Sequence, residues 1–358
     1  NGRIKKELKC ALSKSKTRHP NYYAVLCVTV IYVPLMLFGL LGNILTILVV
    51  WLRPHMRSST YLYLSSMAVS DLLILLLLPL DLYKLWRPRP WPLGDLACKL
   101  TMFLSECCTF CTILHITFLS LERYLAVCWP ITAKTVLTRR RTRALIGCLW
   151  LGAAVSAAPV LVMVGVEDTQ GDGGKREFED RANEGGGEED SETEVDNREC
   201  RCTQFAVSSG LLSAMMVLSN LYFLVPLCTL GLVYSLIGRT LCLRPQSSRR
   251  DQSHRHTVKM LGVIVLAFVL CWLPFHVGHT NFSHLDSHPD THSYFLYYLS
   301  QYFNLVSSVL FFLSAAVNPL LYNLMSAKYR NAVRSLARAD TQSRRLRTLT
   351  SQPSTTTL

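Results

Sequence analysis

Five ionisable residues stand inside, or at the edge of, stretches that are otherwise apolar: Asp71, Asp81, Glu106 and the adjacent Glu122 and Arg123. A charge at membrane depth costs at least about 2.5 kcal/mol on the insertion scale, so each needs a partner or a task. Asp71 requires polar company, which Asn43, Thr112, Ser314 and Asn318 can supply, with or without a sodium ion. Asp81 and Glu106 direct two carboxylates toward one end of their stretches, where a cationic ligand group would pair with them. Hydrogen bonding inside the protein is the alternative role for both. Glu122 and Arg123 close the run from Cys98 to Pro130, at the depth where a spanning helix re-enters the headgroups.

That run is apolar for about 23 positions, and about 20 residues rising 1.5 Å each cross a bilayer core. Six more runs of spanning length lie along the chain, giving seven near 24–52, 60–85, 96–126, 144–164, 206–237, 256–280 and 296–323. Half of the residues are hydrophobic and 17% are charged, against roughly 25% charged in a soluble domain. The chain does not begin with Met and carries no short apolar segment followed by a small-residue cleavage site, so the first span is expected to direct insertion. The expectation is an all-α membrane protein with a seven-transmembrane helix bundle over 24–325. It has an outer tail at 1–23, a short amphipathic helix 8 lying on the membrane at 326–338, and a cytoplasmic tail at 339–358.

Basic residues orient the bundle. They fill the loop at Arg53 and Arg57, the loop at Lys134 to Arg143, the loop at Arg239 to Arg255, and the tail from Lys328 onward. These four segments belong on the cytoplasmic side, which puts the N-terminus outside although residues 1–20 are also basic. The long outer loop, 165–205, has the opposite character. From Glu167 to Glu199 it holds fourteen Asp or Glu and four Lys or Arg, a local charge of −10, while the chain as a whole is +13. The pI of about 9.2 is therefore the sum of a basic inner face and an acidic outer loop, and does not indicate nucleic acid. Gly-rich and poor in apolar residues, the loop is expected to lack fixed structure for most of its length. It reads either as a tolerated solvated insertion or as an electrostatic funnel for a basic ligand.

Most of the thirteen cysteines lie in apolar runs and act as small hydrophobes. Cys10, Cys98, Cys200 and Cys202 face the oxidising side. A Cys98–Cys200 bridge would pin the end of the acidic loop across the bundle mouth, with Cys202 the rival for Cys200 or a partner for Cys10. Cys200 and Cys202 lack the nearby His ligands of a metal site. Other classes fail on specific residues. A retinal protein needs a lysine in the seventh span, and 294–327 holds none. An enzyme needs a nucleophile with its base or a metal set, and neither is legible. Inverted repeats of a transporter are not visible.

Prolines at Pro226, Pro274 and Pro319 would hinge three spans at similar depth. They sit in recognisable settings: Glu122-Arg123-Tyr124 ending the third span, Cys271-Trp-Leu-Pro274 in the sixth, Asn318-Pro-Leu-Leu-Tyr322 in the seventh, with Asp71 in the second and Trp150 in the fourth. This ordered set, over roughly 24–338, resembles the rhodopsin-like (class A) G-protein-coupled receptors. Within that class Tyr61-Leu-Tyr-Leu-Ser-Ser-Met-Ala68, Pro79-Leu-Asp-Leu-Tyr83, Arg89-Pro-Trp91, Val164-Gly-Val-Glu167, Glu199-Cys-Arg201, Tyr234-Ser-Leu-Ile-Gly-Arg239, His256-Thr-Val-Lys-Met-Leu261 and Trp272-Leu-Pro-Phe-His-Val-Gly278 are similar to the ghrelin and motilin receptor group. The expanded loop before Cys200, with Leu114-His115 and Leu299-Ser-Gln-Tyr-Phe-Asn304, leans to the motilin branch, and the ghrelin branch comes second.

The resemblance implies an extracellular peptide agonist and a heterotrimeric, calcium-mobilising q-type G protein. Ligand contacts are expected at Asp81, Glu106, Phe275, His276 and His279. Ser105 occupies the place where amine receptors carry an aspartate, which argues against an amine ligand. His279 replaces the family's arginine and weakens an ion pair with Glu106. Activation is expected to repack Trp272, Phe268, Ile113 and Pro226, while Arg123, Tyr234, Asn318 and Tyr322 rearrange beneath them. The sodium site would use Asp71, Thr112 and Asn318, no other cofactor being implied. Arg123, Pro130, Arg239 and Arg255 face the G protein, and anionic headgroups are the alternative partner of the basic loops. Ser343, Thr348, Thr350, Ser351 and Thr355 to Thr357 offer phosphorylation sites for arrestin. Asn281-Phe-Ser283 is the glycosylation sequon, and no cysteine follows the seventh span to carry a palmitoyl anchor.

The sixth span is expected to begin near His254 and Arg255 without a carboxylate to hold Arg123 by a charge-assisted bond. The inactive state is then weakly locked. Supplying that carboxylate with Arg255→Glu should lower agonist-independent signalling at matched surface expression, measured as inositol phosphate accumulation.

Overall fold

The structure is a computed structural model that describes residues 22–56, 58–87, 89–168, 198–243, 249–282, 293–336 and 338. Side chains at 55, 249–254, 256, 257, 260, 261, 275, 277–282, 293–301 and 322–325 lie outside the description. The acidic stretch 169–197, Cys10 and the tail phosphorylation sites also fall outside the described residues.

In chain order the elements are α1 (Tyr22–Leu52), α2 (Ser59–Trp86), α3 (Gly94–Cys128), α4 (Pro130–Val136), α5 (Arg139–Ala157), α6 (Val160–Met163), β1 (Val164–Asp168), β2 (Arg198–Cys202), α7 (Gln204–Ser208), α8 (Leu211–Leu243), α9 (Arg249–Phe282) and α10 (Ser293–Met325). A further helix, α11, covers 327–336. The seven spans are α1, α2, α3, α5, α8, α9 and α10. Six carry an apolar window long enough to cross a membrane, and α9 contributes the shorter apolar stretch Gly262–Pro274.

Among the boundaries that differ from the sequence reading, that of the fourth span moves to Arg139–Ala157, and two others have a local reason. The fifth span starts at Leu211, because Gly210 with φ +73 breaks the chain after α7; only glycine enters that conformation freely. The sixth span starts at Arg249, so Asp251 shares the helix with Arg255. The claim that no carboxylate belongs to that end is corrected accordingly, and the Asp251 side chain lies outside the description.

α3 is the axis. Sixty-one per cent of its best spanning window is buried, against 22% for α1. A helix so largely enclosed must satisfy its polar side chains internally, and several hydroxyls of α3 do so by folding onto its own carbonyls. Thr101, Thr109, Thr117 and Ser120 each donate to the carbonyl four residues back, at 2.6 to 2.8 Å. Neighbouring spans are tied by buried amides and rings. Asn43 of α1 donates to the Gly39 and Ala315 carbonyls at 2.9 and 3.0 Å, and Trp150 of α5 donates to Ser66 of α2 at 2.9 Å. Thr46 meets the Tyr329 hydroxyl at 3.0 Å, fastening α11 under α1.

Over the outer end of α3, β1 and β2 pair antiparallel with Val166 opposite Cys200. Cys200 is bonded to Cys98 near the start of α3, their Cα atoms 5.7 Å apart. Cys202 is a free, exposed thiol, so the rival pairing with Cys98 is not the one formed.

The α1–α10 contact depends on glycine. A Cβ at Gly42 would lie 2.8 Å from Pro319 Cβ, and one at Gly39 would lie 3.0 Å from Ala316 Cβ and 3.1 Å from its Cα. Overpacking such a seam costs about 1–3 kcal/mol. Gly42→Val should therefore lower the melting temperature of the detergent-purified protein and reduce its surface density.

Candidate functional site

At the outer mouth, α2 carries Asp81 and, three residues on, Lys84, within electrostatic reach of each other. Lys84 Nζ rests 5.1 Å above the Trp91 ring and is buried without a hydrogen bond among the described residues. Trp91, in the α2–α3 turn, is 3% exposed. Its indole donates to Gly94 O and its backbone N–H donates to Arg198 O, both at 2.9 Å, so the turn and β2 hold each other. Arg89 and Glu199 add an ion pair at 2.9 Å, and Arg201 approaches Glu167 at 3.6 Å.

Glu106 stands two turns below Cys98 on α3, half-buried, with no hydrogen-bonding or charged partner among the described residues. The two carboxylates singled out from sequence are thus unequal. Asp81 has a cation one turn away, and Glu106 has none among the described residues. Ser105 is half-buried beside it.

His276 of α9 is buried at 7% exposure. It stacks on Phe223 of α8, ring centroids 4.4 Å apart and planes 18° apart, and its Nδ1 lies 3.2 Å from Asn220 Oδ1. Asn220 Nδ2 donates to Met216 O at 3.0 Å. That contact turns the amide oxygen toward the imidazole, so Nδ1 is the protonated nitrogen. Phe275, His279 and Asn281 also lie on α9, and their side chains are outside the description.

One turn below His276, Trp272 packs edge-on to Phe311 at 5.2 Å and lies 5.7 Å from Phe268. Ile113, Phe223, Phe268 and Trp272 belong to one buried cluster, with Pro226 buried in α8 alongside. The expected repacking centre is therefore contiguous.

The Asp71 neighbourhood differs from the expectation. Asn318 Nδ2 donates to Asp71 Oδ2 at 2.9 Å. Thr112 instead meets Ser70 Oγ at 2.9 Å, Ser314 donates to Phe311 O at 2.6 Å, and Asn43 is occupied as described above. Of four candidate companions, Asn318 alone is bonded to Asp71, because a Ser or Thr hydroxyl on a helix has a nearer carbonyl or hydroxyl to use. Thr112, Ser314 and Asn318 do share one small cavity with Phe268 and Cys271.

At the cytoplasmic end, Arg123 Nη2 is 3.9 Å from Glu122 Oε2, both side chains largely buried. Tyr234 of α8 reaches Ser120 at 3.4 Å. Arg255 donates through Nη2 to the Leu241 carbonyl and so ties α9 to α8. Pro130, opening α4, and Arg239 are exposed toward the cytoplasm, while the Tyr322 side chain is outside the description.

Sequence reasoning missed Lys84, Asn220, Phe223 and Trp91 as parts of this site. The i, i+3 spacing from Asp81 was a legible signal for Lys84. An asparagine in the apolar fifth span was a legible signal for Asn220, whereas Phe223 is indistinguishable from core packing without the fold.

The family model "7 transmembrane receptor (rhodopsin family)" matches residues 42–322. The growth hormone secretagogue receptor type 1 of Sus scrofa is 50% identical over 312 residues, covering 86% of this chain and 79% of the relative. The human motilin receptor is 43% identical over 337 residues, covering 86% and 80%, and the rat neurotensin receptor type 1 is 32% identical over 357 residues, covering 89% and 79%. With seven spans, the outer disulfide and these relatives together, the chain belongs to the rhodopsin family of seven-transmembrane receptors, as a multi-pass plasma-membrane G-protein-coupled receptor of the ghrelin and motilin group.

Proposed function

We propose that this receptor binds a peptide hormone whose cationic group pairs with Glu106, and that it couples binding to a calcium-mobilising q-type G protein. The observation that carries the reading is the asymmetry of the two outer carboxylates. A half-buried carboxylate without a counter-charge is expensive to keep, and a ligand amino group would relieve that cost at Glu106. Asp81 has the charge of Lys84 within reach and contributes less.

The 50% identity to secretagogue receptors favours ghrelin as the agonist. Motilin is the second reading, favoured by the expanded acidic loop before Cys200, the feature that is more like the motilin branch. In either case the loop's charge raises the local concentration of a basic peptide.

We assign a sodium site to Asp71, Thr112 and Asn318, whose carboxylate, hydroxyl and amide oxygens are hard donors of the kind such an ion takes; Thr112 and Asn318 line one small cavity with Ser314. The ion would favour one packing of the bundle by supplying the charge that Asp71 lacks. The exposed residues Pro130 and Arg239, with Arg123 above them, form the surface we assign to the G protein. Phosphorylated Ser and Thr of the tail are assigned to arrestin.

The test is calcium release in cells expressing the receptor, challenged with ghrelin and motilin peptides side by side. A nanomolar response to one peptide assigns the ligand, and silence to both removes the reading. Glu106→Gln should weaken the potency of the active peptide on the order of thirtyfold, the scale of truncating a buried charge pair. Asp81→Asn should cost clearly less, and equal losses would refute the asymmetry.

A further inference from the structure

Glu122 is 5% exposed, and its two oxygens are treated differently. Oε1 accepts from the Tyr63 hydroxyl of α2 at 3.1 Å and, more distantly, from Thr142 Oγ1 of α5 at 3.4 Å. A carboxylate only accepts. The single proton of Thr142 therefore points at Glu122, and the Ser59 hydroxyl, 2.9 Å from Thr142 Oγ1, must be the donor of that contact. Ser59, Tyr63 and Thr142 form one chain of hydroxyls from two spans that ends on a single oxygen.

The other oxygen has no such partner. Oε2 is buried without a hydrogen bond among the described residues, and so is Arg123 Nε. The closest approach between the two groups, Arg123 Nη2 to Glu122 Oε2, is 3.9 Å, beyond hydrogen-bonding range. A guanidinium and a carboxylate in contact normally close to about 2.7–2.9 Å with charge-assisted bonds. Here two complementary buried groups remain apart while the acid is bonded away from the arginine.

We propose that Tyr63, backed by Thr142 and Ser59, is a positioning residue that draws Glu122 toward α2 and α5 and so loosens its restraint on Arg123. The device is independent of what stands at the cytoplasmic end of α9. It raises the population of receptor whose arginine is available to a G protein, with or without agonist. A hydroxyl network that served packing alone would lower stability when broken, and would leave the activity of each surviving receptor unchanged.

The experiment measures loading of a non-hydrolysable GTP analogue onto purified q-type and i-type G proteins by membranes containing the full-length receptor. Loading is read without agonist and normalised to receptor number. Tyr63→Phe keeps the ring and removes the donor, and basal loading should fall roughly three- to tenfold, the factor that one net hydrogen bond carries. Thr142→Val should lower it in the same direction by less, and supplies the test if Tyr63→Phe is poorly expressed. In a Glu122→Gln background, Tyr63→Phe should cause no further fall, because the group it positions has lost its charge. Three results overturn the proposal: a parent without basal loading, a Tyr63→Phe variant that matches or exceeds the parent, or an equal fall in the Glu122→Gln background.

Discussion

Inside hydrocarbon a polar atom has no water to turn to, so its partner must be built into the protein. That constraint locates the helices of this receptor more firmly than apolar packing can, since lipid tails are as apolar as leucine. α3 meets it in part locally, through Thr101, Thr109, Thr117 and Ser120 bonded to its own carbonyls. The groups that cannot be satisfied locally become the cross-links. Asn43 bridges α1 to α10, Trp150 bridges α5 to α2, and Asp71 is reached by Asn318. Each such bond fixes the rotation of a helix as well as its position, because a residue one place along would present its polar group to lipid.

The same constraint leaves a seam that is held more lightly. Among the described residues, polar contacts between α8 and α9 stand at the two ends, Asn220–His276 with its Phe223 stack outside and Arg255 on the Leu241 carbonyl inside, with Phe223–Phe268 and Val258 among the apolar contacts between. Between these points lie Pro226 and Pro274, each removing a backbone hydrogen bond and so lowering the resistance of its helix to bending. Trp272, Phe268 and Phe311 fill the middle of the bundle beside the seam. On the function proposed above, a ligand near His276 and a G protein near Arg123 would address the two ends of one contact. Each can shift its equilibrium only by its own differential affinity.

The spans themselves were legible because length and apolarity are properties of a segment alone. So was the identity of the polar residues that matter, since each violates the composition around it. Their pairing was not. Thr112 was a reasonable companion for Asp71 by depth, yet it bonds Ser70, and nothing in the spacing of the third span decides between two polar residues on the second. The chain Ser59–Thr142–Glu122–Tyr63 draws on three spans and becomes visible only when they are assembled. β1 and β2 are short strands separated by a long acidic stretch, and neither carries an alternation strong enough to mark it. The start of α9 was misplaced because 249–255 is a polar, highly charged segment. The rule that finds spans discards such a segment although a helix can continue through it.

Charge at the outer face has to be divided between attraction and recognition. The acidic loop carries its −10 in a salt solution whose Debye length is about 8 Å, so its field is felt only close to the mouth. At the base of the loop, Glu199 and Glu167 are already engaged by Arg89 and Arg201, and they serve to hold β2 and β1 in place. If the loop acts as a funnel, the remaining acidity would speed the arrival of any basic peptide without distinguishing one from another, because steering acts on association rates. Discrimination must therefore arise deeper, where water is excluded and a misplaced group cannot be screened. On the function proposed above, Glu106 would supply charge there, and the face of His276, which meets Asn220, would supply direction. A peptide of the right charge but the wrong geometry would arrive quickly and leave quickly.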